Sequence, residues 1–294
     1  MSVSDLSLLA PPSLLEDLSY EGIFQEMLSR LLGLDPTYSA LTESDPAYKV
    51  LEVAAYYRLI DRQRVNEAAT ATMIAYASEE DLDRAGDRYD VTRLTIMPAD
   101  ELAVPPVAAV YESDDDFRRR ILLALEGITT AGSVGSYQYH SLSAHALVSD
   151  VTAIMPSAGT VLITVLSREG DGAAPQDVLD AVYDALTAEE VRPLTDHVIV
   201  QSADIVNYGG SAVLYIEEGP EIEPVMAAAQ VSLNAYTESQ FRLGRNIRKV
   251  AIDSALMVAG VQNVVLTGLE DIVISKEQAA YCTGITLSYG GVDE

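Results

Sequence analysis

The sequence contains one cysteine, no tryptophan and only three lysines among its 294 residues. The single cysteine, Cys282, excludes an internal disulfide and a zinc site with several cysteine ligands, which fits folding in a reducing compartment; we expect it to be a small buried apolar residue. No run approaches eighteen apolar residues and no cationic segment precedes an apolar run at the N-terminus. We therefore predict neither a membrane span nor a signal peptide, and a chain made and kept in cytoplasm until something releases it.

Basic residues are scarce relative to acidic ones. Lys and Arg number 18 against 45 Asp and Glu, a formal net charge of −27. Such a charge repels nucleic acid and anionic membranes, so neither is predicted as a partner. The only dense basic cluster, Arg118–Arg120, directly follows Asp114–Asp116, and we expect both to lie on a solvated helix face. The acidity fits adaptation to a salt-rich host as well as a functional role, and both interpretations stay open.

The usual short catalytic and cofactor-binding signatures are also missing. His140 and His145 are five residues apart and would lie on different faces of a helix, so a shared metal is not expected. Gly170-Asp171-Gly172 has the composition of a turn between a strand and a helix. With 45 carboxylates, some pair always has a glycosidase-like separation, so their number says little about catalysis. The sequence predicts no catalytic, metal or cofactor site.

A long helical pattern runs from Thr42 to about Tyr89. No glycine or further proline interrupts it between Pro46 and Tyr76, which corresponds to about 45 Å of helix. Its centre is too charged to be covered by one globular core, so we predict an assembly helix in a bundle. Arg62 and Arg64 are expected to pair with acids on partner helices. The residues predicted at this interface are Leu51, Ala54, Arg58, Arg62, Arg64 and Glu67.

The chain is predicted to have the α+β class, with a helical region followed by two small α+β sandwich modules. Residues 1–18 form an extended, leucine-rich arm that docks either on a neighbour or on its own domain. Residues 19–128 form the helical bundle region, with an irregular crossover over residues 90–112. Residues 129–203 and 204–294 form the two modules, whose similarity to each other is weak.

Within these regions, capping residues and periodicity predict individual elements. Ser113 and Asp116 form a capping pair for a helix that ends near Glu126, and a β-hairpin joins Val148–Met155 to Thr160–Leu166. The other predicted helices are Tyr20–Leu32, Glu80–Tyr89, Ser136–Ala146, Pro175–Leu186, Glu223–Arg242 and Asn246–Val258, and the other strands are His197–Gln201, Ser211–Ile216, Val261–Leu266 and Thr283–Tyr289.

Several sequence blocks, in order along nearly the whole chain, resemble one known family. They are Glu43–Lys49, Leu51–Tyr56, Arg62–Ala68, Ser113–Ile121, Val165–Gly172, Val191–Asp196 and Ala279–Thr283. Together they are similar to the baseplate J-like protein of contractile-tailed bacteriophages and related contractile injection systems. The chain departs from the family pattern near Leu125-Glu126-Gly127, where a proline is expected before the Glu-Gly pair, and this affects one local turn.

The resemblance implies a structural protein of the tail baseplate wedge, not an enzyme. It would link neighbouring wedges into the ring around the central spike, and baseplate and tail assembly would depend on it. Two copies would join one companion wedge protein, with their N-terminal helices in a bundle and their C-terminal modules pairing between wedges. This reading also implies homodimer contacts and other baseplate and hub proteins as partners. It places the protein in the virion tail baseplate.

Two other classes stay open from the residues alone. One is a tail-associated hydrolase, which needs a pocket that gathers titratable groups with a nucleophile or metal ligands. The other is a receptor-binding module that presents the α+β domains at the particle periphery. The apparatus itself could be a phage tail, a tailocin or a domesticated injection system.

Overall fold

The computed structural model of the chain describes residues 16, 18–128, 132–193, 195–219 and 221–292. The chain divides into two compact units, Met1–Arg93 with Phe117–Ile121, and Leu94–Asp116 with Leu122–Glu294. Helices and three small sheets occur in the described residues, which confirms the α+β class. Both module boundaries, predicted at residues 129 and 204, lie inside the second unit and remain predictions. The predicted arm lies outside the described residues, apart from Glu16 and Leu18.

The first unit is built on a pair of packed helices. Ile23 and Phe24 of the first helix are buried against Ala55 of the long helix, and the rings of Phe24 and Tyr48 lie 4.9 Å apart. Helix α1 therefore packs on the long helix through this apolar face. In chain order the elements are α1 (Tyr20–Leu34), a short 3₁₀ helix (Pro36–Ala40), α2 (Pro46–Ala71) and α3 (Glu79–Asp87).

The long helix is shorter than predicted. Helix α2 has 26 residues and ends at Ala71, which gives it a length of about 39 Å, so the prediction of a helix to Tyr76 was wrong. The hydroxyls of Thr70 and Thr72 each donate to a backbone carbonyl three residues earlier, at 2.8 Å. The amide of Met73 likewise bonds the carbonyl of Thr70 at 3.0 Å. This tightening to a three-residue spacing ends the helix.

The arginine cluster is not a solvated helix face, so that prediction was also wrong. Arg120 is only 4% exposed and donates to the carbonyl of Thr92. Arg118 donates to the carbonyls of Ile74 at 2.7 Å and Ala77 at 2.8 Å. These carbonyls belong to turns outside the regular helices, where a charged donor makes a strong hydrogen bond.

The predicted irregular crossover, residues 90–112, contains a two-stranded antiparallel sheet of β1 (Thr95–Met97) and β2 (Val110–Tyr111). Glu112 is 2% exposed and accepts a hydrogen bond from the amide of Leu94 at 2.9 Å. Strands of two and three residues are too short to produce an alternating sequence pattern, so the sheet was missed. It belongs to the second unit.

Helix α4 spans Asp114–Gly127. The hydroxyl of Ser113 accepts a hydrogen bond from the amide of Asp116 at 3.3 Å. The capping pair predicted at these two positions is confirmed.

The first α+β module has a three-stranded sheet. Its central strand, β4, is antiparallel to β3 and parallel to β5, so the predicted hairpin is confirmed. Val178, Val182 and Leu186 lie on one face of α6 and are fully buried with Ile163 and Val165 of β4. The module comprises α5 (Val134–Ala144), β3 (Val148–Ser157), β4 (Thr160–Ser167), α6 (Gln176–Thr187) and β5 (His197–Ser202).

The second module has the same sheet layout in a different chain order. Its central strand, β6, is antiparallel to β7 and parallel to β8, but it is the first strand of its sheet in the chain, whereas β4 is the second. The two modules therefore differ in connectivity. Its elements are β6 (Asp204–Ile216), α7 (Ile222–Gln240), α8 (Lys249–Leu256), β7 (Val261–Thr267) and β8 (Gln278–Gly291).

Strands β6 and β8 both begin earlier than predicted, at Asp204 and Gln278. Strand β6 does so because it continues through Gly209 and Gly210, which read as breaks in the sequence. A Cβ added to Gly209 would lie 2.8 Å from the carbonyl oxygen of Gly284 on the neighbouring strand. The register shifts at this point, between Tyr208 and Gly209. Glycine in a strand interior often marks such a close backbone approach.

Gly170-Asp171-Gly172 forms the predicted turn, in which Asp171 accepts a hydrogen bond from the amide of Ala173 at 3.1 Å. Both glycines have positive φ, +64° and +98°, a region that side chains disfavour.

None of the described helices is long and apolar enough to span a bilayer.

We expect Gly172→Ala to lower the free energy of unfolding by about 3 kcal/mol, because overpacking adds to backbone strain. The added Cβ would lie 2.5 Å from the ring of Phe241 and 2.7 Å from a methyl group of Leu166. Gly170→Ala is the matched control, since a Cβ there meets open space, and it should cost about 1 kcal/mol. Urea unfolding of both variants measures the difference, and equal losses would contradict the packing argument.

Candidate assembly surfaces

The six residues predicted at the bundle interface fall into two groups on α2. Leu51, Arg58 and Arg62 line a groove between α1 and α2. The other three, Ala54, Arg64 and Glu67, are exposed and lie outside this groove. Helical periodicity in the sequence could not distinguish the side of α2 that packs against α1 from the side that is exposed and available to a partner protein.

The outward side of α2 carries exposed apolar side chains. Val50, Val53, Tyr57 and Val65 are 68%, 57%, 62% and 68% exposed, at spacings that keep them on one side of a helix. At 100° per residue, they and the exposed alanines among them cover about 120° of the circumference. We call this surface the outer stripe, made of Val50, Val53, Ala54, Tyr57, Val65 and Ala68. The exposed Asp61 and Arg64 lie within the same arc, so the stripe is an apolar surface with two charges near its middle, a composition suited to a helix interface.

The groove between α1 and α2 combines an apolar floor with basic residues. Its volume is about 890 Å³, in the range of pockets that enclose a drug-sized ligand. Three arginines and one acid, Glu26, line the groove, and Arg62 is already paired with Glu16, so its apolar floor favours an apolar occupant more than its charge favours an acidic one. We call this surface the inner groove; its lining includes Met27, Leu31, Leu34, Arg30, Arg58 and Arg62.

Glu16 is bound to the same side of α2. Its carboxylate accepts a hydrogen bond from Nε of Arg62 at 2.5 Å, and its backbone carbonyl and amide bond the side chain of Asn66 at 2.9 and 3.2 Å. The hydrogen bond from Arg62 holds the pKa of Glu16 below its usual value. Arg62, expected to pair with a partner's acid, thus pairs with an acid of its own chain. Pairing of Arg64 across a helix interface remains a prediction.

A buried ion-pair cluster lies within the second unit. The Asp116 carboxylate accepts hydrogen bonds from Arg168 at 2.5 Å and from Arg242 at 2.8 Å, and its side chain is 10% exposed. Burial alone would raise the pKa of Asp116, but the two guanidinium groups outweigh it and hold the pKa below its usual value. The cluster joins the start of α4, the end of β4 and the segment after α7.

Arg242 also ties the segment after α7 to the first module. It donates to the carbonyl of Ser149 at 2.8 Å, and the amide of Leu243 donates to Asp150 at 3.0 Å. Asp116 and Arg168 come from two of the sequence blocks that carried the family resemblance. The role of Arg242 was missed, because it is one arginine after a helix with no motif around it.

A second pocket, in the second module, is lined by residues 266–271 and Lys249. The carboxylate of Asp271 accepts hydrogen bonds from the amide of Lys249 at 2.9 Å and from Arg248 at 2.8 Å. These bonds, led by the one from the amide, lower the pKa of Asp271. A carboxylate held this way suits capping of α8 better than proton transfer at neutral pH.

Among the residues with described positions, no group of three or more His, Cys, Asp and Glu side chains is placed to hold a metal ion. Cys282 is half-buried rather than fully buried, and it packs against the core of the second module.

Two family models match the sequence, the Baseplate J-like N-terminal domain over residues 43–100 and the Baseplate J-like central domain over residues 129–202. The sequence is 49% identical over 302 residues to baseplate protein J of Escherichia phage P2, and the match covers the whole of both chains. This chain belongs to the baseplate J-like family. The predicted resemblance is thereby confirmed.

This baseplate J-like chain also matches a solved structure of the anti-feeding prophage baseplate, with a TM-score of 0.41 and 13% identity. The match covers 60% of this chain and 43% of the other. The predicted general role of the baseplate J-like chain is that of a structural component of a tail baseplate that contacts other baseplate proteins. Its family and its relative in phage P2 confirm this role. The matched N-terminal domain contains α2, with its outer stripe.

We expect Asp116→Asn to lower the free energy of unfolding at pH 7 by about 3 kcal/mol, because it leaves two partly buried arginines without their acid. The folded-state pKa of Asp116 is depressed. Its contribution is therefore present above the unfolded-state pKa, about 3.9, and is lost as the pH falls through the lower folded-state value. Urea unfolding between pH 7 and pH 3 measures this. The variant should lose less stability than the parent below pH 4.

Asp184→Asn is the control for this prediction, since Asp184 is an exposed carboxylate on α6 of the same unit, outside the cluster. It should change the free energy of unfolding by no more than about 0.5 kcal/mol. Similar losses in the two variants would show that the cluster is not what stabilises the unit.

Proposed function

We propose that this baseplate J-like chain is a wedge component that links neighbouring wedges into a ring around the central spike, so that baseplate and tail assembly depend on it. Two copies join one companion wedge protein through a bundle of N-terminal helices, and the C-terminal modules pair between wedges. The chain also contacts hub proteins. It acts as a structural element and not as an enzyme, and it is held in the host cytoplasm until it enters the virion tail baseplate.

The observation that carries this proposal is the outer stripe. Burying the exposed parts of its four large side chains would contribute about 4–8 kcal/mol. Association costs about 4–15 kcal/mol in lost translational and rotational freedom. A single helix pair held by this stripe would therefore be marginal, whereas a bundle in which each helix meets two others is favoured. This supports an assembly of several helices over a simple pair.

Exposed charges on α2 support selective pairing. Asp61 and Arg64 are exposed within the outer stripe, and Glu67 is exposed beside it. Charges within and beside an apolar seam favour complementary helices and disfavour wrong ones. Arg64 and Glu67 are the residues of the predicted interface set that fit this role.

Pairing of the C-terminal modules is supported by open sheet edges. In the described residues, β7 and β8 form the two edges of the second module's sheet, although the start of β8 is already paired, since Leu243 bridges Ala279 and the amide of Gly244 donates to Gln278 at 3.0 Å. An edge strand presents backbone groups that pair readily with another chain. We assign the contact between wedges to one of these edges.

Co-expression with the neighbouring tail proteins, followed by native mass measurement of the purified complex, tests the proposal. We expect two copies of this chain with one companion protein. A monomer that captures no tail protein would overturn it. Locating a C-terminal label in particles is an independent check, because a label at the outer periphery would favour the receptor-binding alternative.

The double variant Val53→Asp, Val65→Asp should abolish capture of the companion protein, since it places two carboxylates on the outer stripe. Both valines are more than half exposed, so the isolated chain should keep its circular dichroism spectrum and unfolding midpoint. Val231→Asp, Val250→Asp is the matched control, because these valines are 68% and 77% exposed on α7 and α8. Companion capture at the parental level by the stripe variant would refute this role of α2.

A further inference from the structure

We propose that residues 284–289 of β8 pair antiparallel with the same residues of a second copy, so that the sheets of two second modules join into one. This contact refines the proposed pairing of the C-terminal modules and rests on the proposed function, which requires two copies to meet there. The stretch lies between two register shifts in the pairing of β8 with β6, so it is a regular run of six residues. We call it the open run, since in the described residues no strand or bridge lies beside it on the side away from β6.

The open run lacks the features that usually protect an edge strand. Strand β8 contains no charged residue and no proline over residues 278–291, although 21% of the chain's residues are charged. Charges and prolines are common on natural edge strands, where they prevent pairing with another chain. The opposite edge differs, because the amide of Val264 in β7 is occupied by the side chain of Asn263 at 2.8 Å. The open run is therefore the part of this sheet best suited to pairing.

Charge favours a second copy as the partner. The chain has a formal net charge of −27, so two copies repel each other wherever their acidic surfaces meet. At an uncharged edge they can approach without this repulsion. Ala212, Leu214 and Leu266 are buried with residues of α7 and α8, so the side chains next to them along each strand lie on the opposite face of the sheet. Beside the open run that face is also uncharged, and it carries Ser211, Val213, Val265, Thr267, Thr286 and Ser288.

The side chains of the open run match one another across a twofold axis. Opposed side chains in an antiparallel pair lie on the same face of the sheet, so the axis passes through a residue of the run. With the axis at Leu287, this residue meets its own counterpart. Ile285 of one copy then meets Tyr289 of the other, and Thr286 meets Ser288. Pairs of an aromatic with a β-branched residue, and of two hydroxyls, stabilise neighbouring strands, and Tyr289, which is 45% exposed, gains cover.

Disulfide trapping in the full chain tests this register. Thr286→Cys and Ser288→Cys are made as separate chains in a Cys282→Ser background. Opposed residues have Cα atoms about 4.5–5.5 Å apart, within the range that a disulfide spans, whereas like cysteines would be diagonal neighbours about 7–8 Å apart. We expect the mixed chains to give about tenfold more disulfide-linked dimer than either chain alone, because only the mixed pair meets the disulfide geometry. Equal yields, or no dimer in the mixture, would overturn the proposal.

The double variant Thr286→Asp, Ser288→Asp separates this contact from the rest of the proposed function. Val265→Asp, Thr267→Asp is the matched control, because it places two carboxylates on the same face at the opposite edge. The β8 variant should still capture the companion protein but should abolish association between the resulting complexes, measured by native mass, whereas the control should keep both.

Association of the β8 variant at the level of the control would overturn the β8 contact and leave the wedge role intact. Loss of companion capture by the β8 variant alone would also overturn it, since the edge would then serve the companion protein. Disulfide trapping needs no companion protein, so it tests the β8 contact even if the parent captures none.

Discussion

The second unit depends on one buried carboxylate shared by two arginines. Asp116, Arg168 and Arg242 are far apart in the sequence, and no disulfide can hold their segments together. Each guanidinium would be costly to bury alone, and the carboxylate would be costly to bury without them. The three side chains therefore stabilise one another only when the start of α4, the end of β4 and the segment after α7 are all in place. This makes the arrangement of the unit cooperative.

Helix α2 differs from an ordinary surface helix, because it has apolar residues on two sides. One side packs on α1 and borders a groove with arginines at its rim, and the other carries the outer stripe. A helix with this distribution is incompletely buried by its own unit, as expected for an element of a larger bundle. Its central charges also lie on different sides: Arg62 pairs with Glu16 of its own chain, whereas Arg64 is exposed to solvent.

Local signals in the sequence predicted much of this fold, and tertiary contacts explain what they missed. The Ser113 cap, the hairpin of β3 and β4, and the buried face of α6 follow from capping and periodicity. The end of α2 depends on hydroxyl bonds to the backbone, and the extension of β6 through Gly209 depends on the close approach of Gly284 from a distant segment. Periodicity also placed all six interface residues on one helix without separating its two sides. The partners of Asp116 could not be found, because Arg242 has no local signature.

The parallel pairing of β6 with β8 has a consequence for how the chain folds during synthesis. Strand β6 is the centre of its sheet and ends at Ile216, whereas β8 begins only at Gln278. At 5–20 residues per second, the ribosome makes the intervening segment in about 3–12 s. During that time the central strand lacks its parallel neighbour, and one of its edges is open. Long-range parallel pairing is slow and prone to aggregation, so the interior glycines and the many acidic residues would help keep nascent chains apart.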